Sequence, residues 1–253
     1  MTSPSAARSV VLACTLAALP LAGYSEEGHH EWDYGKEHGP RHWGEIKADF
    51  AKCGTGSAQS PIDIRGAVPS KLDPIQFDYH PTELRIIDNG HTIQVNYGSG
   101  SGITVGGQRY ELVQFHFHKP SEEKIGGKSF PMVAHLVHKN ANGELAVVAV
   151  LLKQGAQNAL VQTLWTNLPK EKEKESVATK VRIDAAQLLP KNHAYYTFPG
   201  SLTTPPCSEG VTWFVLTHPT EISQQEIARF GKVYTGNARP TQPLNGRTIR
   251  VSE

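Results

Sequence analysis

His116 and His118 stand one residue apart in "QFHFHKPSEE" (Gln114 to Glu123), inside an otherwise apolar run. A third histidine, His135, follows in "PMVAHLVHK". Imidazole suits zinc, and three protein ligands leave a fourth position for water. Three neutral ligands leave the ion's charge uncompensated, so the pKa of a bound water falls to about 7 and hydroxide forms at neutral pH. The chemistry such a trio implies is hydroxide attack assisted by a metal. Lone strand histidines such as His138 and His218 lack the pattern and read as structural.

The elements that must position these rings are strands. Side chains alternate faces along a strand, so His116 and His118 share one face and Phe117 takes the other. In the second segment Val133, His135 and Val137 share a face, while Ala134, Leu136 and His138 share the opposite one. If the two segments pair, three imidazoles meet on one sheet surface. Further β-rich runs are "LRIIDNGHTIQVNY", with an Asn-Gly turn signal at its centre, "ELAVVAVLLK" and "VTWFVLTH". "HKNANGEL" reads as a hairpin turn joining two of them. Helical patterns are short: "NALVQTLWTNL" and "SQQEIARFGKVY". No βαβ alternation argues for a parallel sheet. The fold class is mainly β (α+β), a single domain around a large, mostly antiparallel sheet with short peripheral helices.

The bulk composition agrees with a globular chain: 253 residues, 38% hydrophobic, 19% charged and a net charge of +1. There is no basic block and no acidic tail, so nothing in the charge points to nucleic acid or an anionic membrane surface as a partner. The run "KEKEKE" (Lys170 to Glu175) alternates in sign and reads as a solvated loop or helix end. "SVVLACTLAALPLAG" follows a lone Arg8 and is too short to span a bilayer. It reads as a secretory signal peptide over residues 1–23, with cleavage after Gly23 or Ser25. Residues 24–253 then form the mature domain, with no membrane span, in the periplasm or secreted. A lipoprotein site at Cys14 fits "VLAC" only loosely, because the apolar run continues past it. That leaves Cys53 and Cys207, an even number in an exported chain. They either pair or remain as two buried thiols; a crosslink would add at most about 5 kcal/mol. No second cysteine pair exists to build a cysteine zinc site.

At this point the sequence resembles an α-class carbonic anhydrase of the bacterial exported kind. The motifs are "HEWDYGKEHGPRHWGEI", "QSPIDI", "IDNGHTIQV", "QFHFHKPSEE", "AHLVHK", "LAVVAVLLK", "PGSLTTPPCSEGVTWFVL" and "NARPTQPLNGR", in the family's order and at near-family spacing. The resemblance implies interconversion of carbon dioxide and bicarbonate by zinc-bound hydroxide, on a twisted, mostly antiparallel ten-stranded sheet, as a monomer or homodimer. It implies zinc on His116, His118 and His135, with Thr203 orienting the hydroxide and Glu122 behind it. It implies an apolar pocket of Val137, Val147, Leu202 and Trp213, with Thr204 touching bicarbonate. His91 matches the proton shuttle, and Tyr34, Asn89 and Gln94 line the proton path. Cys53 and Cys207 match a pair that bacterial members often bridge.

Zinc-bound histidines usually hold an outer acceptor on the other ring nitrogen. By the same resemblance Gln114 serves His116 and the Asn237 carbonyl serves His118. The third acceptor departs from the pattern: the family commonly has a glutamate two residues before the third ligand, and here that residue is Val133. A water or another carbonyl would then have to accept from His135, and an uncompensated loss lowers metal affinity about 10- to 100-fold. Glu123 replaces a histidine common after the "SE" of the loop, and the sequence leaves open whether it compensates. Two other readings have specific support. "HFHKPSE" fits the H-x-H-x3-E part of a cupin-type metal oxygenase, with Glu122 as a ligand, although Tyr110 stands where a glycine is wanted. Val133 alone favours a catalytically weakened binding module on the same fold.

Overall fold

Apolar side chains recur at every second position in "TELRIID" and "IQVN" and run unbroken through "LAVVAVLL", and the chain answers with half-buried and fully buried strands. The computed structural model describes residues 31–253, together with Met1. The stretch read as a signal peptide, with Cys14, lies outside the described residues. Among the described residues thirteen strands form one sheet, ten of them along its main path. In chain order those ten are β1 (Val68–Ser70), β2 (Thr82–Asp88), β3 (Ile93–Asn96), β4 (Gln108–His118) and β5 (Met132–Lys139). They continue with β6 (Leu145–Gln154), β7 (Ser176–Ile183), β8 (Tyr195–Ser201), β9 (Glu209–Leu216) and β10 (Arg250–Ser252). Across the sheet the order is β7-β2-β3-β4-β5-β6-β9-β8-β10-β1. Most neighbours are antiparallel; β6 with β9 and β10 with β1 are parallel. The expected ten-strand sheet is therefore present, flanked by three shorter strands, and a separate three-stranded sheet joins Asp63–Ile64, Lys124–Ile125 and Lys128–Ser129.

Two hairpins fall where the turn residues asked for them. β2 and β3 meet around Asn89-Gly90, where Gly90 has φ 82°, a conformation glycine adopts at little cost. β5 and β6 meet around Asn140–Glu144. The two helical patterns form Ala159–Thr166 and Gln224–Val233. Asn158 caps the first, and Ser223 with Glu226 makes a capping box on the second. Both pack on one sheet face, where Phe117, Leu136, Val148, Trp165 and Phe230 share a buried core. The opposite face carries a smaller apolar cluster that includes Val133, Val147 and Trp213. Residues 170–175 form an exposed turn, as the alternating charges suggest; Glu175 at its end pairs with Arg85.

Candidate metal centre and its surroundings

Strand pairing brings the three histidines together. β4 and β5 run antiparallel with His116 opposite His135 and His118 opposite Val133. One ring nitrogen from each of His116, His118 and His135 lies within 4.8 Å of the others, and this is the metal-type cluster found among the described residues. Each ring is held by its other nitrogen. His116 Nδ1 donates to Gln114 Oε1 at 2.8 Å, and His118 Nδ1 to the Asn237 carbonyl at 2.7 Å. His135 Nε2 donates to Glu123 Oε1 at 3.0 Å. The nitrogens left over are Nε2, Nε2 and Nδ1. Nε2 of His118 is buried and has no hydrogen-bond partner among the described residues. An orphaned buried nitrogen beside two other free imidazole lone pairs is what a tridentate cation site requires. The donor set fits zinc.

Electrostatics keep two of the rings neutral and so able to ligate. Burial, with His135 adding to it, pushes His116 down to about 3. Burial also takes His118 well below its usual range, reinforced by the other two rings and only partly offset by Asn237. For His135 burial acts the same way, but the charge and hydrogen bond of Glu123, helped by Glu122, outweigh it and leave the ring raised.

Glu122 and Glu123 thus sit side by side on the loop after β4 and face different partners. The Glu122 carboxyl is fully buried. It accepts from the Arg239 N–H at 2.8 Å, and its Oε2 lies 3.8 Å from His135 Nδ1. Burial drives its pKa up to about 7; His135 opposes the rise, Glu123 adds to it, and the Thr203 hydroxyl and Arg239 N–H pull it back. The guanidinium of Arg239, itself buried, donates to Gln59 Oε1 and to the carbonyls of Ser60 and Cys53. Cys53 and Cys207 are joined as a disulfide, with Cα atoms 5.0 Å apart. That bridge ties the short helix Lys52–Thr55 to the turn that follows Thr203 and Thr204. Glu122 does not belong to the ligand cluster, so the metal-ligand role the cupin reading gives it has no support.

The sheet surface around the rings divides into two halves. On the β3 and β4 side, a cavity of about 110 Å³ is lined by Tyr34, Asn89, His91, Gln94, Gln114, His116 and Thr204, among others. Asn89 Nδ2 donates to Gln94 Oε1 at 3.4 Å, and Gln94 Nε2 to Asn96 Oδ1 at 2.7 Å. The His91 ring lies flat on Trp32, with centroids 3.6 Å apart and planes 6° from parallel. On the β6 and β9 side, Val137 stands opposite Val147, and Val147 opposite Trp213. Leu202 packs on the same cluster, and the Trp213 ring meets His135 edge-on at 5.0 Å.

Three residues escaped the sequence reading. Trp32 carried no spacing signal, although it stands two residues before Tyr34 in one of the motifs. Arg239 lies in "NARP" and had no role assigned. Glu123 stood in view but without a partner. Asn237 does more than expected: besides its carbonyl, its side chain donates to the carbonyls of His91 and Phe117 and accepts from the Lys119 N–H.

Residues 38–253 match the model of the eukaryotic-type carbonic anhydrase family. A carbonic anhydrase of Pectobacterium atrosepticum is 44% identical over 240 residues, covering 94% of this chain and 97% of the relative. A hyperthermostable carbonic anhydrase identified from an active hydrothermal vent chimney superposes with a TM-score of 0.85 at 46% identity, covering 88% of this chain and all of that one. The α-carbonic anhydrase of Thermovibrio ammonificans, solved with the inhibitor sulfanilamide, gives 0.83 at 42% identity, covering 88% of this chain and 98% of the other.

Proposed function

The chain belongs to the eukaryotic-type (α) carbonic anhydrase family and is an enzyme of carbon dioxide hydration; from that premise we propose that it works with zinc held by His116, His118 and His135. The observation that carries this reading is the cluster of three converging ring nitrogens, one of them buried without a partner. Zinc, when bound, supplies a Lewis acid that makes water nucleophilic at neutral pH and adds positive charge beside Glu122.

The remaining work falls to the chain's own residues. An ionised carboxylate only accepts hydrogen bonds. Thr203 therefore donates to Glu122, and its own oxygen accepts from the attacking oxygen and aims a lone pair at the carbon. Carbon dioxide is apolar and asks for an apolar wall, which Val137, Val147, Leu202 and Trp213 offer beside His135. Thr204 lines the cavity, and we assign it the contact with bicarbonate. The proton released must reach solvent. An imidazole can relay a proton, and we assign that role to His91, with Tyr34, Asn89 and Gln94 along the route in the same cavity.

We also assign residues 1–23 to a signal peptide, residues 24–253 to the enzyme domain, and the mature protein to the periplasm or the medium. The disulfide fits an oxidising compartment. No helix among the described residues is long and apolar enough to cross a membrane.

The test is carbon dioxide hydration against pH, on protein whose zinc content is measured. One zinc per chain, a rate that rises through a single ionisation near neutrality, loss on chelation and return on adding zinc are expected. Zinc-loaded protein that does not hydrate carbon dioxide would favour the binding-module reading.

A further inference from the structure

Gln114 serves His116 from two residues upstream on the same strand face. Position 133 bears the same relation to His135, but Val133 is fully buried in the apolar cluster and cannot accept a hydrogen bond. The acceptor for His135 comes instead from outside the sheet. Both carboxylate oxygens of Glu123 lie near His135 Nε2, at 3.0 and 3.2 Å, and neither side chain is more than 1% exposed.

The backbone around Glu123 is pinned on both sides. Ser121 exchanges hydrogen bonds with Phe130 through its N–H and its hydroxyl, and the same hydroxyl donates to the Glu123 carbonyl. The next residue, Lys124, begins the small sheet by pairing with Asp63. The side chain is thus delivered by a braced loop.

Resting on the zinc reading above, we propose that Glu123 is the positioning residue for His135: its carboxylate fixes the tautomer with hydrogen on Nε2 and turns Nδ1 toward His116 and His118. It supplies from a loop what a strand residue supplies to His116.

Two measurements test this. In the zinc-loaded wild-type protein with ¹⁵N-labelled imidazoles, the His135 Nε2 should carry a proton and Nδ1 none, the reverse of His116 and His118. A proton on His135 Nδ1 would overturn the proposal without any variant having to fold. The second measurement is the zinc dissociation constant, by competition with a chromophoric chelator. Glu123→Ala should raise it about 10- to 100-fold, and Glu123→Gln, which keeps an acceptor, should raise it less. Adding Val133→Glu to Glu123→Ala should recover most of the loss. Unchanged affinity in Glu123→Ala, or no recovery in the double variant, would sink the assignment. The zinc reading has its own control: if His118→Ala binds zinc as tightly as wild type, that reading fails whatever Glu123 does.

Discussion

At the scale of single residues, the proposed roles can be separated by substitution. His91 is held over Trp32 and tied through its carbonyl to Asn237. Its removal should leave the metal and the apolar wall intact and slow only the outward proton step. His91→Ala is therefore expected to lower kcat by roughly 100-fold, the low end of the range for loss of a general acid–base group. Added imidazole buffer should restore part of the rate, and kcat/KM should change little. A fall in kcat/KM equal to the fall in kcat would remove His91 from the proton route. Thr203→Val is predicted to lower kcat/KM about 100-fold, the scale for losing one preorganised hydrogen-bonding group, with zinc content unchanged. The resemblance pointed to His91 and Thr203 because each stands in a motif that is local in the sequence. Glu123 was not, because its reach to His135 depends on how residues 119–131 fold back.

Strands are the scale at which the sequence spoke most clearly. The alternation in β5 sends His135 to the site and His138 to the core, where Tyr79 Oη lies 2.9 Å from its Nε2. Burial pushes the His138 imidazole down to about 3, against about 6.5 in an unfolded chain. Between those values the unfolded state binds the extra proton, so stability falls as pH drops from about 6.5 toward 3. Replacing His138 with Gln should flatten the pH dependence of urea unfolding in metal-free protein by up to about 1.4 kcal/mol per pH unit across that window. An unaltered slope would contradict the burial argument. Two strands gave no such signal. β7 is an outer strand with most side chains exposed, so it shows no apolar alternation. β8 contains Pro199 and Gly200, which argue against a strand. Pro199 pairs with Thr212 of β9, but its carbonyl accepts from Arg247, so its ring nitrogen also faces away from β9, on the side where β10 pairs only with Tyr196 and Thr197.

Across the whole molecule, the disulfide, Arg239 and Glu122 connect the early helices to the loop bearing Thr203. Cys207 sits at φ 55°, a left-handed conformation costly for cysteine, and the surrounding contacts hold it there. The double variant Cys53→Ala/Cys207→Ala should lose about 2–5 kcal/mol in guanidinium unfolding and should also lose activity, as Thr203 drifts from Glu122. Full activity at reduced stability would confine the bridge to a structural role. Distance hid this link from sequence reading: the cysteines could be paired on paper, but the arginine that joins Cys53 to Glu122 could not. The division of the sheet surface has a last consequence. On the proposed reading the gas would use the greasy flank and the proton the wet one, so the two streams would not share a doorway.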